Sequence, residues 1–324
     1  MNFKKDLPLT SSHWGTYRAK VKDGKVKELI GWENDKDPSP IGQGIVDVHN
    51  HQTRIDSPMI RKSWMDKGPG SNNSLRGTDP FISISWDEAE KIVSNELNRV
   101  KNDFGNASIF GGSYGWASAG RFHHAQSQLH RFLNCIGGYT RSKFTYSFAA
   151  AEAMVPHILG SYRAFLDTCT SWDSIEENTK LFICFGGVPL KNGQIAQGGT
   201  GSHKQKEKLI RSANAGIKFI NFSPLKSDLL DEVNGEWLAL RPNTDVAIML
   251  GLAHTLYKEK LYDDKFIEKY TEGFDTFLPY LKGDIDGIAK DANWASSISE
   301  IPSKKITSLA KEMSSKRTMI SVSW

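Results

Sequence analysis

Cysteine is scarce in this chain, and long apolar runs are missing altogether. Three cysteines in 324 residues, Cys135, Cys169 and Cys184, lie far apart and form no Cys-x-x-Cys pair. Zinc ribbons and iron–sulfur clusters are therefore not signalled, and each cysteine reads as a small buried apolar residue. No stretch approaches the twenty apolar residues of a membrane span. The start, Met1-Asn2-Phe3-Lys4-Lys5-Asp6, has no apolar signal-peptide core and reads as cytoplasmic. No Lys/Arg block stands out: 41 basic and 37 acidic residues leave a net charge of +4, which suits a small polyanionic ligand better than nucleic acid. Neither Gly-x-Gly-x-x-Gly nor Gly-x-x-x-x-Gly-Lys-Ser/Thr comes after any predicted strand, so ordinary NAD and P-loop readings are weak. The nine histidines include no His-Glu-x-x-His pair, and His123-His124, being adjacent, do not share a helix face.

The residues present divide the chain in three, more than one hydrophobic core usually supports. Residues 1–60 read as β: an alternating run through Trp14–Lys22 turns at Asp23-Gly24 and returns through Lys25–Ile30. Residues 61–165 read as α/β. Ser85 and Glu88 form a capping box ahead of the periodic Ala89, Ile92, Val93, Leu97 and Val100. Ala107-Ser108-Ile109-Phe110 then reads as a buried strand broken by Gly111-Gly112, with helices predicted over 118–135 and 147–159. Residues 166–324 repeat the alternation. Leu181–Phe185 is continuously apolar, as a strand covered on both faces requires, and further strands are predicted at 217–222, 237–240 and 319–324. The fold class is α/β: a small antiparallel N-terminal region, then two doubly wound units, the second like a dinucleotide-binding domain. An ending in mid-strand at Trp324 reads as a truncated chain.

Several strand-end loops carry the candidate chemistry. Ser113-Tyr114-Gly115-Trp116 places a phenol and an indole N–H where open α/β sheets bind ligands, although taken alone it slightly favours a core aromatic cluster. Gly186–Asn192, Phe222-Ser223-Pro224 and Arg241-Pro242-Asn243-Thr244-Asp245 lie at the ends of successive strands of one sheet, so they converge on one crevice able to grip an elongated nucleotide. Lys191 can neutralise phosphate, helix starts add N–H donors, and Asp245 can accept from a guanine amino group. Taken singly, each loop is an ordinary βα turn, and Ser147 is a helix N-cap.

Together, these motifs give the chain a resemblance to the molybdopterin oxidoreductases of the dimethyl sulfoxide, trimethylamine N-oxide and biotin sulfoxide reductase group. It runs from Ser12-His13-Trp14-Gly15 to Trp324, through Arg54–Arg61, Ser85–Ala89, Gly111–Trp116, Arg241–Asp245 and Met249–Leu256. It covers the N-terminal portion of those longer proteins. The resemblance implies a molybdenum ion held by Ser147 and by two molybdopterin guanine dinucleotides, an alkoxide being a hard ligand suited to a high-valent metal. It implies Tyr114 and Trp116 facing the substrate oxygen, and no iron–sulfur centre. It also implies cofactor contacts from Tyr114, Gly115, Trp116, Ala117, Ser118, Lys191, Asn192, Phe222, Ser223, Pro242, Asn243, Asp245 and Trp324. The implied reaction removes oxygen from an S-oxide or N-oxide, electrons coming from a cytochrome or other reductant; Tyr114 favours a sulfoxide. The chain departs from the pattern at Phe144-Thr145-Tyr146-Ser147, where relatives carry Gly-Asp-Tyr-Ser. It departs again at Ser223, which replaces Asn or Asp, and at Ser323-Trp324 in place of Gly-Trp. A non-catalytic guanine-dinucleotide-binding module and an NAD-dependent dehydrogenase are the competing readings. Loss of a targeting segment would make the protein periplasmic.

Overall fold

Asp23 and Gly24 turn the chain as their types predict, both at positive φ (52° and 71°), which matches the twist of an antiparallel hairpin. The computed structural model describes residues 6–49, 51–71, 73–113, 124–145, 147–196 and 199–323. They cluster into two units, one drawn from 1–147 with 196–201, the other from 148–195 with 202–324.

In the first unit β1 (Leu9–Ser12), β2 (Gly15–Lys22) and β3 (Lys25–Gly31) form an antiparallel sheet. Helix α1 (Ile41–Val48) packs against it. Strand β4 (Met59–Arg61) leads into α2 (Lys62–Lys67) and pairs antiparallel with β5 (Phe81–Ser83), and Arg61 meets Asp79 at 3.1 Å. The predicted capping box opens α3 (Trp86–Phe104): Ser85 Oγ accepts from the Glu88 amide, and the Glu88 carboxylate accepts from the Ser85 amide. Those bonds hold the Glu88 carboxyl below its usual range.

The expected strand at 107–110 is corrected. Asn106–Ser108 is a 3-10 turn, held by Asn106 Nδ2 donating to the carbonyls of Ile136 and Gly138. A two-residue strand, β6 (Phe110–Gly111), comes next, with Phe110 66% exposed. It pairs in parallel with β7 (Thr140–Arg141), beyond α4 (Ala125–Cys135). Gly111 is needed for close approach rather than for a turn: a Cβ there would stand 2.1 Å from Leu133 Cδ1 on α4. In this stretch the described residues hold two small two-stranded pairs where the sequence predicts a wider sheet.

The second unit begins with α5 (Ala149–Leu159), α6 (Tyr162–Asp167) and α7 (Trp172–Asn178). Strand β8 (Leu181–Phe185) is next, then the short α8 (Leu190–Gly193), α9 (Gln205–Asn214), β9 (Lys218–Phe222) and β10 (Glu236–Leu238). Helices α10 (Asp245–Lys258), α11 (Asp264–Tyr270), α12 (Phe274–Lys282), α13 (Ala292–Ser299) and α14 (Ser303–Ser315) lead to β11 (Thr318–Val322). The four strands make one parallel sheet in the order β10-β9-β8-β11. Its faces divide strictly by residue parity. Leu181, Ile183, Phe185, Ile220 and Phe222 pack against α10, α13 and α14. Phe182, Cys184 and Phe219 pack against α7, α9 and the turns after β9. Two aromatic stacks tie β8 to β9, one per face: Phe185 on Phe222 at 5.0 Å and Phe182 on Phe219 at 5.1 Å.

Cys184 is buried, as expected, but Cys135 and Cys169 are exposed, which corrects the reading of all three as core residues. Burial pushes the Cys184 thiol up to about 12 because the thiolate loses its hydration. Titration of the folded protein with an aromatic disulfide reagent should therefore release two equivalents, the third appearing only on unfolding. Ile183, fully buried in β8, gives a second test: Ile183→Ala should lower the unfolding free energy in urea by about 2–5 kcal/mol.

Candidate functional site

A parallel sheet covered on both faces leaves its carboxyl edge as the natural ligand crevice, above all where the strand order reverses. Here the order reverses at β8, whose crossovers run to β9 on one side while β11 lies on the other. A cleft of about 300 Å³ opens there, lined by Gly187, Val188, Asn192, Gln205, Ser321 and Ser323.

The loops around the cleft are bonded to one another. The Gly186 amide donates to the Phe222 carbonyl (2.8 Å), the Val188 amide to the Asp228 carbonyl (2.8 Å), and the Ser323 amide to the Phe185 carbonyl (2.8 Å). Gly186 and Gly187 have φ of +85° and +74°, a region L side chains avoid. Space excludes a side chain as well, since a Cβ on Gly187 would lie 2.3 Å from the Asp228 carbonyl oxygen. Gln205, at the start of α9, donates Nε2 to the carbonyls of Val188 and Pro189 (both 3.2 Å).

Of the predicted site residues Asn192 lines the cleft, and the others fall into distinct groups along the strand ends. Lys191 and Asn192 sit on α8 beside it; the Lys191 side chain is 69% exposed and its Nζ lies 3.6 Å from Asp228 Oδ1. Phe222 is fully buried in the core stack, so only its backbone belongs to the edge. Ser223 is fully buried too: Oγ donates to Asp228 Oδ2 (2.6 Å) and accepts from the Leu225 amide (3.1 Å), while its carbonyl accepts from Trp237 Nε1 (2.8 Å). Strand β10 ends beside it, the Ser223 amide donating to the Leu238 carbonyl. The loop beyond carries Pro242 and Asn243, both exposed, with Asn243 left-handed at φ 69°. Asp245 then occupies the first turn of α10, where a negative charge complements the helix dipole.

Ser147 belongs to the first unit and is exposed, its amide donating to Thr145 Oγ1 (3.2 Å). It does not cap a helix, because α5 has Phe148 at its N-cap and no side-chain cap bond. Tyr114, Gly115, Trp116, Ala117, Ser118 and Trp324 lie outside the described residues. Among the described residues, no three His, Cys, Asp or Glu side chains gather into a metal-binding group, and no helix is long and apolar enough to cross a membrane.

Sequence reasoning missed Asp228 and Gln205. Neither sits at a strand end or in a recognisable spacing. Asp228 falls in the polar run Ser223-Pro224-Leu225-Lys226-Ser227-Asp228, which reads as an unremarkable loop.

Residues 54–324 match the sequence profile of the molybdopterin oxidoreductases, and residues 10–48 that of the molybdopterin oxidoreductase N-terminal domain. A dimethyl sulfoxide/trimethylamine N-oxide reductase of Rhodobacter capsulatus is 39% identical over 98% of this chain and 38% of its own length. A biotin sulfoxide reductase of Cereibacter sphaeroides is 40% identical over 90% of this chain and 39% of its own. A trimethylamine-N-oxide reductase of Haemophilus influenzae is 36% identical over 98% and 38%. The chain thus spans about two fifths of the relatives it matches. The solved structure of acetylene hydratase from Pelobacter acetylenicus shares the fold at TM-score 0.65 and 20% identity, over 98% of this chain and 40% of that one. A profile that runs unbroken through the parallel sheet and its edge loops, with such identity along nearly the whole chain, makes this protein a member of the molybdopterin oxidoreductase family.

Proposed function

We propose that the protein serves a molybdenum-dependent reductase that removes oxygen from S-oxides or N-oxides, and that its cofactor is a bis(molybdopterin guanine dinucleotide). The observation that carries this reading is the identity of 36–40% to relatives named for dimethyl sulfoxide, trimethylamine N-oxide and biotin sulfoxide reduction. The carboxyl edge supports it, because Asn192 in the cleft, Lys191 next to it and Asp245 in the loop beyond β10 are groups that suit a guanine dinucleotide. Lys191 offers an exposed ammonium for the diphosphate, Asn192 an amide, and Asp245 a carboxylate able to accept from the guanine amino group. In this reading the boundaries near residues 60 and 165 separate an N-terminal β region, a metal-site unit and a doubly wound nucleotide-binding unit.

When bound, the cofactor supplies two-electron oxygen-atom transfer. The chain's part is to bind and orient. Ser147 Oγ, once deprotonated, would give the metal a hard oxygen ligand. The Tyr114 phenol donates to the substrate oxygen as charge develops on it, which favours a sulfoxide, and the Trp116 indole N–H adds a second donor. Gly115, Ala117, Ser118, Phe222, Ser223 and Trp324, with Pro242 and Asn243, would complete the cofactor contacts. No iron–sulfur centre takes part; a cytochrome or other external reductant delivers electrons, in the cytoplasm or, after export, in the periplasm.

Ser147→Ala tests this directly. Molybdenum content, measured by mass spectrometry, and dimethyl sulfoxide reduction by dithionite-reduced viologen should both fall roughly a hundredfold, while guanosine diphosphate binding stays within twofold. A variant that retains metal and full rate would remove Ser147 from the ligand set. Nucleotide binding with no turnover in the unaltered protein would instead favour the non-catalytic module.

A further inference from the structure

Parallel α/β nucleotide sites commonly place an acidic side chain at the end of the strand beside the phosphate loop, where it accepts hydrogen bonds from the ribose hydroxyls. In this chain that strand is β9, neighbour of β8, and the residue at its end is Ser223. The Ser223 side chain is already committed within the protein. It is fully buried, its hydroxyl proton is donated to Asp228 Oδ2, and its oxygen already accepts from Leu225.

The geometry points to Asp228 as the residue that recognises the ribose of the guanine nucleotide, a role that rests on the nucleotide-site reading above. Three observations converge on it. The Asp228 side chain is 14% exposed and stands beside an exposed Lys191 at 3.6 Å, so an acceptor and a phosphate-neutralising ammonium lie side by side. Its position is locked to the phosphate loop, because its carbonyl accepts from Val188 and its backbone fills the space where Gly187 lacks a Cβ. Its carboxylate is braced but not saturated: Ser223 occupies one lone-pair site on Oδ2 and Lys191 faces Oδ1, whereas a carboxylate has about four such sites. An ionised carboxylate only accepts hydrogen bonds and repels phosphate. Beside a lysine able to take the diphosphate, the nucleotide part it fits is the vicinal diol of the sugar. Ser223 then acts as a positioning residue, holding the carboxylate from below.

Calorimetric titration of the chain with guanosine diphosphate and its 2′,3′-dideoxy analogue tests this role. The unaltered protein should bind the ribose form about tenfold or more tightly, as expected for hydrogen bonds to a charged group. Asp228→Ala should erase that ratio, and the near-isosteric Asp228→Asn should reduce it severalfold even if the alanine variant fails to fold. Ser223→Ala should reduce it less. Inosine diphosphate, which lacks the guanine amino group, controls for base recognition. The role is overturned if the unaltered protein does not discriminate, if the variants weaken both nucleotides equally, or if their effect appears instead in the guanosine-to-inosine ratio. A protein that binds no guanine nucleotide at all would remove the site itself and this role with it. Discrimination that persists in Asp228→Asn would remove only the role.

Discussion

Three backbone hydrogen bonds and one missing Cβ hold the carboxyl edge of the parallel sheet together. The amides of Gly186, Val188 and Ser323 bond the loop after β8 to its neighbours on both sides, and Gly187 lets that loop lie against Asp228 without a gap. These contacts are possible only because the strands beneath them are fixed in register by two buried faces. Each stacked pair, Phe185 on Phe222 and Phe182 on Phe219, pins β8 to β9 from its own side. A sheet free to slip by one residue would exchange the two faces and carry the cleft-lining groups away from one another.

The sequence was most legible where local rules and burial agree. The all-apolar Leu181–Phe185 is a covered parallel strand, Asp23-Gly24 is a hairpin turn, and Ser85 with Glu88 is a capping box. Reading failed where a distant partner decides the conformation. The apolar look of Ala107–Phe110 suggests a strand, but the Asn106 side chain, bonded to two carbonyls some thirty residues on, winds the backbone into a turn. Cysteine burial failed for a similar reason, since only Cys184 lies on a strand with both faces covered.

The site was legible in part. Strand-end position picked out Lys191, Asn192 and the Pro242–Asp245 loop, because parallel topology sends every strand end to the same edge. It says nothing of which way a side chain points, so Phe222 and Ser223, both fully buried, were grouped with groups that face solvent. Asp228 escaped because its importance comes from a fold-back of five residues that returns its carboxylate to Ser223. The small hydroxyl leaves room for a carboxylate to arrive from the next turn.

Strands β8 and β11 lie side by side, with Leu181 paired to Thr318 and Phe185 to Val322, yet the intervening chain holds most of the second unit. Of the cleft's walls, the one from Ser321 to Ser323 is thus made last as the ribosome delivers the polypeptide from its amino end. Until that wall docks, β8 presents an open edge, a surface prone to pairing with other chains. Completion of the crevice and protection of the central strand are therefore a single event.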